Sequence, residues 1–447
     1  MTCVRFKLSK WFPLVMVGMV TVLCSPRFVQ AVLSAPVESE LIIEVTTGVD
    51  AKTHIAVAPF AWLGKGVVAE DLASIVEADL YRSGLFSPVP RADMLSRPAE
   101  PKAVAFREWR TLGSDYLVVG SLSPQTERYQ FNMSLLDVLA ETALIPSFTG
   151  MGSNLRDIGH LISDTIYEKL TGIPGAFATQ ILYVTLDRSR QNSQYRLRRA
   201  DADGHRVVTL FESSEPILSP AWSPDGRRVA FVSYHIGRRP RVIVQDIASG
   251  VQKVIAQFKG INGAPAWSPD GKQLAMVLSK DGNPEIYVIN LVDGVLQRLT
   301  NHYAIDTEPH WMPDGKRLIF TSDRGGNPQI YELNVADGVV RRLTFNGNYN
   351  ARGSVSADGR YLVMVHRDNE VFHIAVQDLW REAFRVLTQT TLDESPSIAP
   401  NGSMVIYATR DDGDGVLSAV SLDGKVKVRL PAKHGEVREP AWSPFLR

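Results

Sequence analysis

Ala221-Trp222-Ser223-Pro224-Asp225-Gly226 and Ala266-Trp267-Ser268-Pro269-Asp270-Gly271 are one six-residue phrase repeated 45 positions apart. It returns as His310-Trp311-Met312-Pro313-Asp314-Gly315. It returns more loosely as Ser354-Val355-Ser356-Ala357-Asp358-Gly359 and Ser397-Ile398-Ala399-Pro400-Asn401-Gly402, and is cut short as Ala441-Trp442-Ser443-Pro444. From the Trp position the later steps are 44, 44, 43 and 44 residues. A period of about 40–50 residues with strand-like content reads as a β-propeller, with one four-stranded blade per repeat.

The chemistry inside each repeat agrees. Asp-Gly or Asn-Gly supplies the positive φ that a tight hairpin needs. The Trp position is a large apolar wedge suited to the gap between neighbouring blades. After each turn comes a β-rich run, at 229–233, 274–278, 318–321, 362–365 and 404–408, and then a third strand and a fourth. Residues 181–186, 195–200 and 207–211 read as a second, third and fourth strand with no Trp phrase before them. At the other end, 441–444 is a first strand with nothing after it. The incomplete ends complement one another. The expectation is six blades over 181–447, closed by the C-terminal strand, which ties the ends of a ring otherwise held by neighbour contacts.

Upstream, 36–172 is punctuated differently and reads as an α/β domain. Strands are expected at 41–45, 54–60, 116–122, 131–138 and 142–148, with a short helix at 103–110. Val68, Leu72, Ile75, Val76 and Leu80 give helical spacing over 67–82, stopping at Gly84. Asn154 caps a second long helix that runs to Gly172. Residues 173–180 read as a linker.

Residues 1–31 stand apart. Arg5, Lys7 and Lys10 precede a charge-free run over 11–24, and Val29-Gln30-Ala31 is a small-x-small cleavage site. This is the pattern of a secretory signal, and the run is too short for the ~20 residues of a membrane-crossing helix. Cleavage there leaves 44 basic against 48 acidic residues and removes Cys3 and Cys24, the only cysteines. The exported chain then lacks disulfides, thiolate metal sites and cysteine nucleophiles. The intact chain balances 48 Lys+Arg against 48 Asp+Glu, so no basic field is present to hold nucleic acid.

In a propeller the innermost strand of each blade starts at one mouth of the channel, so the residues before each Trp position ring that mouth. They are Asn262, Gly263 and Ala264; Asp306, Thr307 and Glu308; Asn350, Ala351 and Arg352; Asp393, Glu394 and Ser395; and Arg438 and Glu439. Five carboxylates are expected to converge there with two arginines, a ring suited to a basic partner surface or to a cation such as calcium. No cofactor is otherwise expected. The nine histidines are scattered with no ligand pair on a helix; His310, before Trp311 on an inner strand, is a candidate for the channel wall but reads first as a packed or solvated histidine. Asp411-Asp412-Gly413-Asp414-Gly415 lacks the spacing of a calcium loop and reads as a turn.

Thr47-Gly48-Val49-Asp50, Glu168-Lys169-Leu170-Thr171-Gly172-Ile173, Asn262-Gly263-Ala264-Pro265-Ala266, Leu392-Asp393-Glu394-Ser395-Pro396-Ser397 and Pro440-Ala441-Trp442-Ser443-Pro444 complete the pattern. Over about 40–445 the chain resembles the TolB family, periplasmic components of the Tol–Pal system. The resemblance implies a non-catalytic, monomeric periplasmic adaptor that is not itself inserted in a membrane. It implies a propeller mouth that binds the lipoprotein Pal, with Ala264 and Thr307 at matching positions. Ile261 departs from the histidine usual in the family. It also implies that the mature N-terminal segment, Leu41, Ile42, Ile43, Glu44 and Val45, binds TolA. Pal binding would order that segment against the body and withhold it. The system maintains the outer membrane and aids its constriction at division, and some colicins exploit the Pal site. A peptidase-gating propeller would need Gly-x-Ser-x-Gly, which is absent. A carbohydrate-binding propeller would need stacking aromatics, which the ring residues above do not include.

Overall fold

The computed structural model describes residues 44–47, 51–188, 193–235, 237–390, 392–411, 413–430 and 435–446. The leader expected over 1–31, residues Leu41, Ile42 and Ile43, and Asp412 lie outside them.

The α/β domain is built on one mixed sheet. Thr53–Val57 runs parallel to Phe86–Pro88 on one side and to Tyr116–Gln125 on the other. Arg128–Asp137 and Thr142–Gly152 follow as antiparallel neighbours. Period-two alternation divides the central strands between two cores. Ile55, Val57, Val118 and Leu122 face helices α1 (Leu72–Arg82) and α3 (Leu155–Thr171). Ala56, Leu117 and Val119 face Trp109 of the short helix α2 (Phe106–Thr111). Trp109 is fully buried, and removing such a ring from water contributes about 3 kcal/mol.

Helix α1 begins at Leu72, not at 67 as the apolar spacing suggests. The carboxylate of Asp71 accepts from the N–H groups of Ala73 and Ser74, and an N-cap fixes the first turn whatever the pattern before it. Asn154 caps α3 as expected, accepting from Arg156 and Asp157. Gly172 ends it at φ 73°, in the left-handed conformation that glycine takes without strain.

The rest is a six-bladed propeller. Blade 1 combines the C-terminal strand Glu436–Trp442 with Gln180–Arg188, Ser193–Asp201 and Val208–Ser213. This is the closure that the two incomplete ends predict. Blades 2 to 6 begin with innermost strands Ile217–Trp222, Asn262–Trp267, Asp306–Trp311, Asn350–Val355 and Glu394–Ile398. Six apolar clusters fill the six gaps between blades, each drawing on both neighbours. In the gap between blades 2 and 3, Trp267 packs with Ala230 and Val242, and its indole N–H donates to the Ala221 carbonyl at 3.2 Å. Trp222 donates in the same way to Ala441 at 3.0 Å, across the closure.

The Ser-Pro-Asp-Gly turns explain their own composition. The Ser223 N–H donates to the Arg228 carbonyl, and its hydroxyl accepts from the Arg228 N–H, both at 2.9 Å. The Ser223 hydroxyl also donates to Asp225. Gly226 completes the turn at φ 67°.

Two features exceed the sequence reading. Blade 6 has five strands, because Glu44–Thr47 pairs antiparallel with Lys427–Leu430 at its outer edge. The α/β domain rests on the turn face of blades 1 and 6. There Asn401 donates to the Pro174 carbonyl and Arg206 donates to Asp157. An apolar cavity of about 630 Å³ lies between Tyr167 and Phe177 on one side and Met404, Val428 and Trp442 on the other.

Candidate functional site at the channel mouth

Each innermost strand carries a β-bulge at the same place. Register shifts occur between Leu218 and Ala221, Gly263 and Ala266, Thr307 and His310, Ala351 and Ser354, Glu394 and Ser397, and Arg438 and Ala441. The bulged residues Ser219, Ala264, Glu308, Arg352, Ser395 and Glu439 all take positive φ, from 45° to 54°. None is glycine, and left-handed backbone costs an L-residue roughly 1–2 kcal/mol. In five blades the next residue is proline, which has no N–H for the bulge to leave unpaired. The bulge turns these six residues onto the wall of the channel, a cavity of about 450 Å³.

Three of the six are charged and bonded to one another. Glu308 accepts from the Arg352 backbone N–H at 2.9 Å and from its Nε at 3.0 Å. The same guanidinium donates to the Ser395 hydroxyl and reaches Glu439 at 3.5 Å. Glu439 also accepts from the Ser219 N–H at 3.3 Å. Glu439 and then Glu308 hold Arg352 well above the usual guanidine range, against the opposing effect of burial. The ring therefore carries two carboxylates answered by one fixed cation. His310 lies farther along the wall, and desolvation pushes its imidazole down to about 4.

The five expected carboxylates do not form one cluster. Glu308 and Glu439 meet at Arg352, while Glu394 is exposed. Asp306 and Asp393 are fully buried, as are Asn262 and Asn350, each at or just before the start of an innermost strand with its side chain bonded to neighbouring loops. Asp306 is paired with Arg324 at 2.7 Å, and Asp393 accepts from Thr388 and Thr390. Asn262 bonds both backbone groups of Phe258, and Asn350 bonds Gln329, Asn346 and His366. These four brace the rim from behind. Gly263, Thr307 and Arg438 are half-buried, and Ala351 is buried. Arg438 pairs with Glu436.

The sequence reading missed an apolar rim. Leu218, Phe258, Ile261, Tyr303 and Ile305 are exposed, in the innermost strands or the connectors that lead into them. Tyr303 is 86 % exposed, so aromatic side chains do stand near the mouth. The signal was available, since these residues interrupt otherwise polar connectors. This mouth is opposite the turn face that carries the α/β domain.

At the N-terminus, Glu44 pairs with Arg429 and Val45 with Val428, and Val45 packs against the apolar cluster of blade 6. The segment is thus docked as an edge strand on its own propeller. Among the described residues, no helix is long and apolar enough to cross a membrane.

Comparison with known proteins matches this architecture. Residues 167–446 match the family described as the TolB beta propeller domain, and residues 41–144 match the TolB amino-terminal domain. The Tol-Pal system protein TolB of Pseudomonas aeruginosa is 54 % identical over 423 residues, covering 94 % of this chain and 98 % of its own. That of Alcanivorax borkumensis is 53 % identical over 411 residues, with 92 % and 94 % covered. The crystal structure of TolB from Acinetobacter baumannii superposes with a TM-score of 0.83 at 42 % identity, covering 90 % of this chain and 100 % of that one.

Proposed function

The chain belongs to the TolB family, and from that premise we propose that it is a non-catalytic periplasmic adaptor of the Tol–Pal system. On this reading the channel mouth binds Pal and the N-terminal segment binds TolA. The linkage supports outer-membrane integrity and division, and colicins that exploit the Pal site would compete there.

The observation that carries this reading is the mouth itself. It is a polar ring fixed by Arg352 and edged by exposed Leu218, Ile261, Tyr303 and Ile305, on the face that the α/β domain leaves free. An apolar rim around a preorganised polar centre is the composition of a protein-docking surface. Ile261 is 46 % exposed there and favours an apolar contact on the partner in place of a polar one. The strand pairing of Glu44–Thr47 supports the second half of the reading. A strand bonded along blade 6 has committed one edge to its own chain, so a partner that takes the segment as a free peptide competes with this docking.

The test is capture of purified Pal and TolA by the mature chain and by a version lacking residues 36–46. Pal retained by both and TolA lost by the truncation is the expected result. TolA binding that survives the truncation would remove the N-terminal assignment, and Pal binding that neither form shows would remove the adaptor reading.

A further inference from the structure

A buried charge cluster joins the α/β domain to the propeller away from the channel. His160 of α3 is 1 % exposed. Its Nδ1 lies 2.8 Å from Asp79 of α1, and its Nε2 lies 3.6 Å from Asp203, in the turn after the blade 1 strand Ser193–Asp201. Asp79 and Asp203 are also buried. Arg82 of α1 contacts both carboxylates, and Arg156 of α3 pairs with Asp203. Asp79, His160 and Asp203 are close enough to suggest a cation site. However, Arg82 and Arg156 already hold Asp203 Oδ2, and the two oxygens of Asp79 are taken by Arg82 and His160.

We propose that His160 is a pH-sensitive clasp: its imidazolium bridges Asp79 and Asp203, holds the α/β domain on the propeller, and loosens that docking when it loses its proton. The argument is geometric. A neutral imidazole has one N–H, so one ring nitrogen would turn a lone pair toward a buried carboxylate. Only the protonated ring presents a donor to both. Nε2 has no hydrogen-bond partner within range, so its interaction with Asp203 is the ionic one.

The surroundings favour the cation. From α1 come Asp79 and Arg82; from α3, Arg156, Asp157 and Asp164; from the blade 1 turn, Asp201, Asp203, His205 and Arg206. Glu70 lies beyond Arg156. That is six carboxyl groups against three guanidinium groups. Burial opposes the charge on His160, but Asp79 and then Asp203 outweigh it and raise its pKa above 6.5. A raised histidine stabilises fully below 6.5, and its contribution is lost as pH climbs through the folded-state value. The docking therefore weakens on the alkaline side, and with it the closure of the apolar cavity beside Arg82.

Expressed from residue 32 onward the chain has no cysteine, so a Leu161→Cys, Val292→Cys pair reports the distance between the domains without background labelling. Spin-label distances should be narrow at pH 6 and broad at pH 9. His160→Gln should be broad at both, and NMR titration should place the wild-type His160 midpoint above 6.5. Asp203→Asn should lower that midpoint. A midpoint at or below 6.5, a wild-type distance that ignores pH, or a His160→Gln protein that keeps the wild-type response would each overturn the clasp.

Discussion

Glu308 and Arg352 sit on innermost strands of adjacent blades, and one carboxylate accepts both the backbone N–H and the Nε of its neighbour. The contact is possible only because both residues are bulged with positive φ, which aims their side chains along the wall instead of into the blades. Glu439, from blade 1, then approaches the same guanidinium from beyond Ser395. The channel is thus braced across four of its six blades by a single cation.

Removing that cation should be costly. Arg352→Met keeps the aliphatic stem but leaves Glu308 and Glu439 facing each other with no counter-charge. Breaking a fully buried pair costs about 3–5 kcal/mol, and partial exposure at the mouth brings the expected loss to about 2–3 kcal/mol. Adding Glu308→Gln should restore part of it. Urea unfolding of the two variants measures both effects, and a single variant as stable as wild type would show that the ring is ornamental.

The bulge itself can be probed at Ala264, whose side chain makes no polar contact. Its φ of 45° should make glycine nearly neutral, since relief of left-handed strain offsets the added freedom of the unfolded chain. Valine, branched at Cβ, should lose about 2 kcal/mol or more at the same site. Thermal denaturation that ranks valine equal to alanine would mean the backbone has relaxed out of the left-handed region.

These residues also show how far the sequence could be read. Ser223, Asp225 and Gly226 were legible because a turn is decided by chemistry within four residues. Blade closure was legible because two incomplete ends can be counted. The burial of Asn262, Asp306, Asn350 and Asp393 was not. Alternation assigns side chains to faces, but a bulge changes the phase by one residue, and alternation by itself does not mark where. The proline after five of the six bulged positions was the available clue. The start of α1 was misplaced because Val67 and Val68 fit the helical period while Asp71, unweighed, set the boundary. Pairing of Glu44–Thr47 with Lys427–Leu430 joins the two ends of the sequence, and no periodicity encodes a contact of that range.

Thr307 offers a separation of binding from stability. It is half-buried at the rim, near exposed Ile305, and its own side chain is not among the groups bonded to Arg352. Thr307→Arg should weaken Pal capture at least about tenfold, by placing a long charged side chain in an apolar edge. The change in unfolding free energy should stay within about 0.5 kcal/mol, as for surface substitutions generally. Unaltered capture by a folded variant would move the docking site off this rim.

Asp164 gives a pH signature distinct from that of His160. Its carboxylate accepts from the N–H groups of Phe177 at 2.7 Å and Ala178 at 3.2 Å, tethering the link between α3 and blade 1. Burial nevertheless pushes its pKa up from 3.8 to about 6, because desolvation outweighs those two bonds. A raised carboxyl favours the protonated folded state. Its contribution is greatest below 3.8, declines as pH rises to about 6, and is constant above that. A shift of that size corresponds to about 3 kcal/mol, and partial exposure reduces the expected span to about 1–2 kcal/mol. Asp164→Asn keeps an acceptor but cannot ionise. Measured by chemical unfolding, wild type should therefore lose that margin relative to the variant between pH 4 and pH 6.5, with no further loss to pH 8. A difference that stays level across the acid range would show that the two backbone donors, not burial, govern this carboxylate.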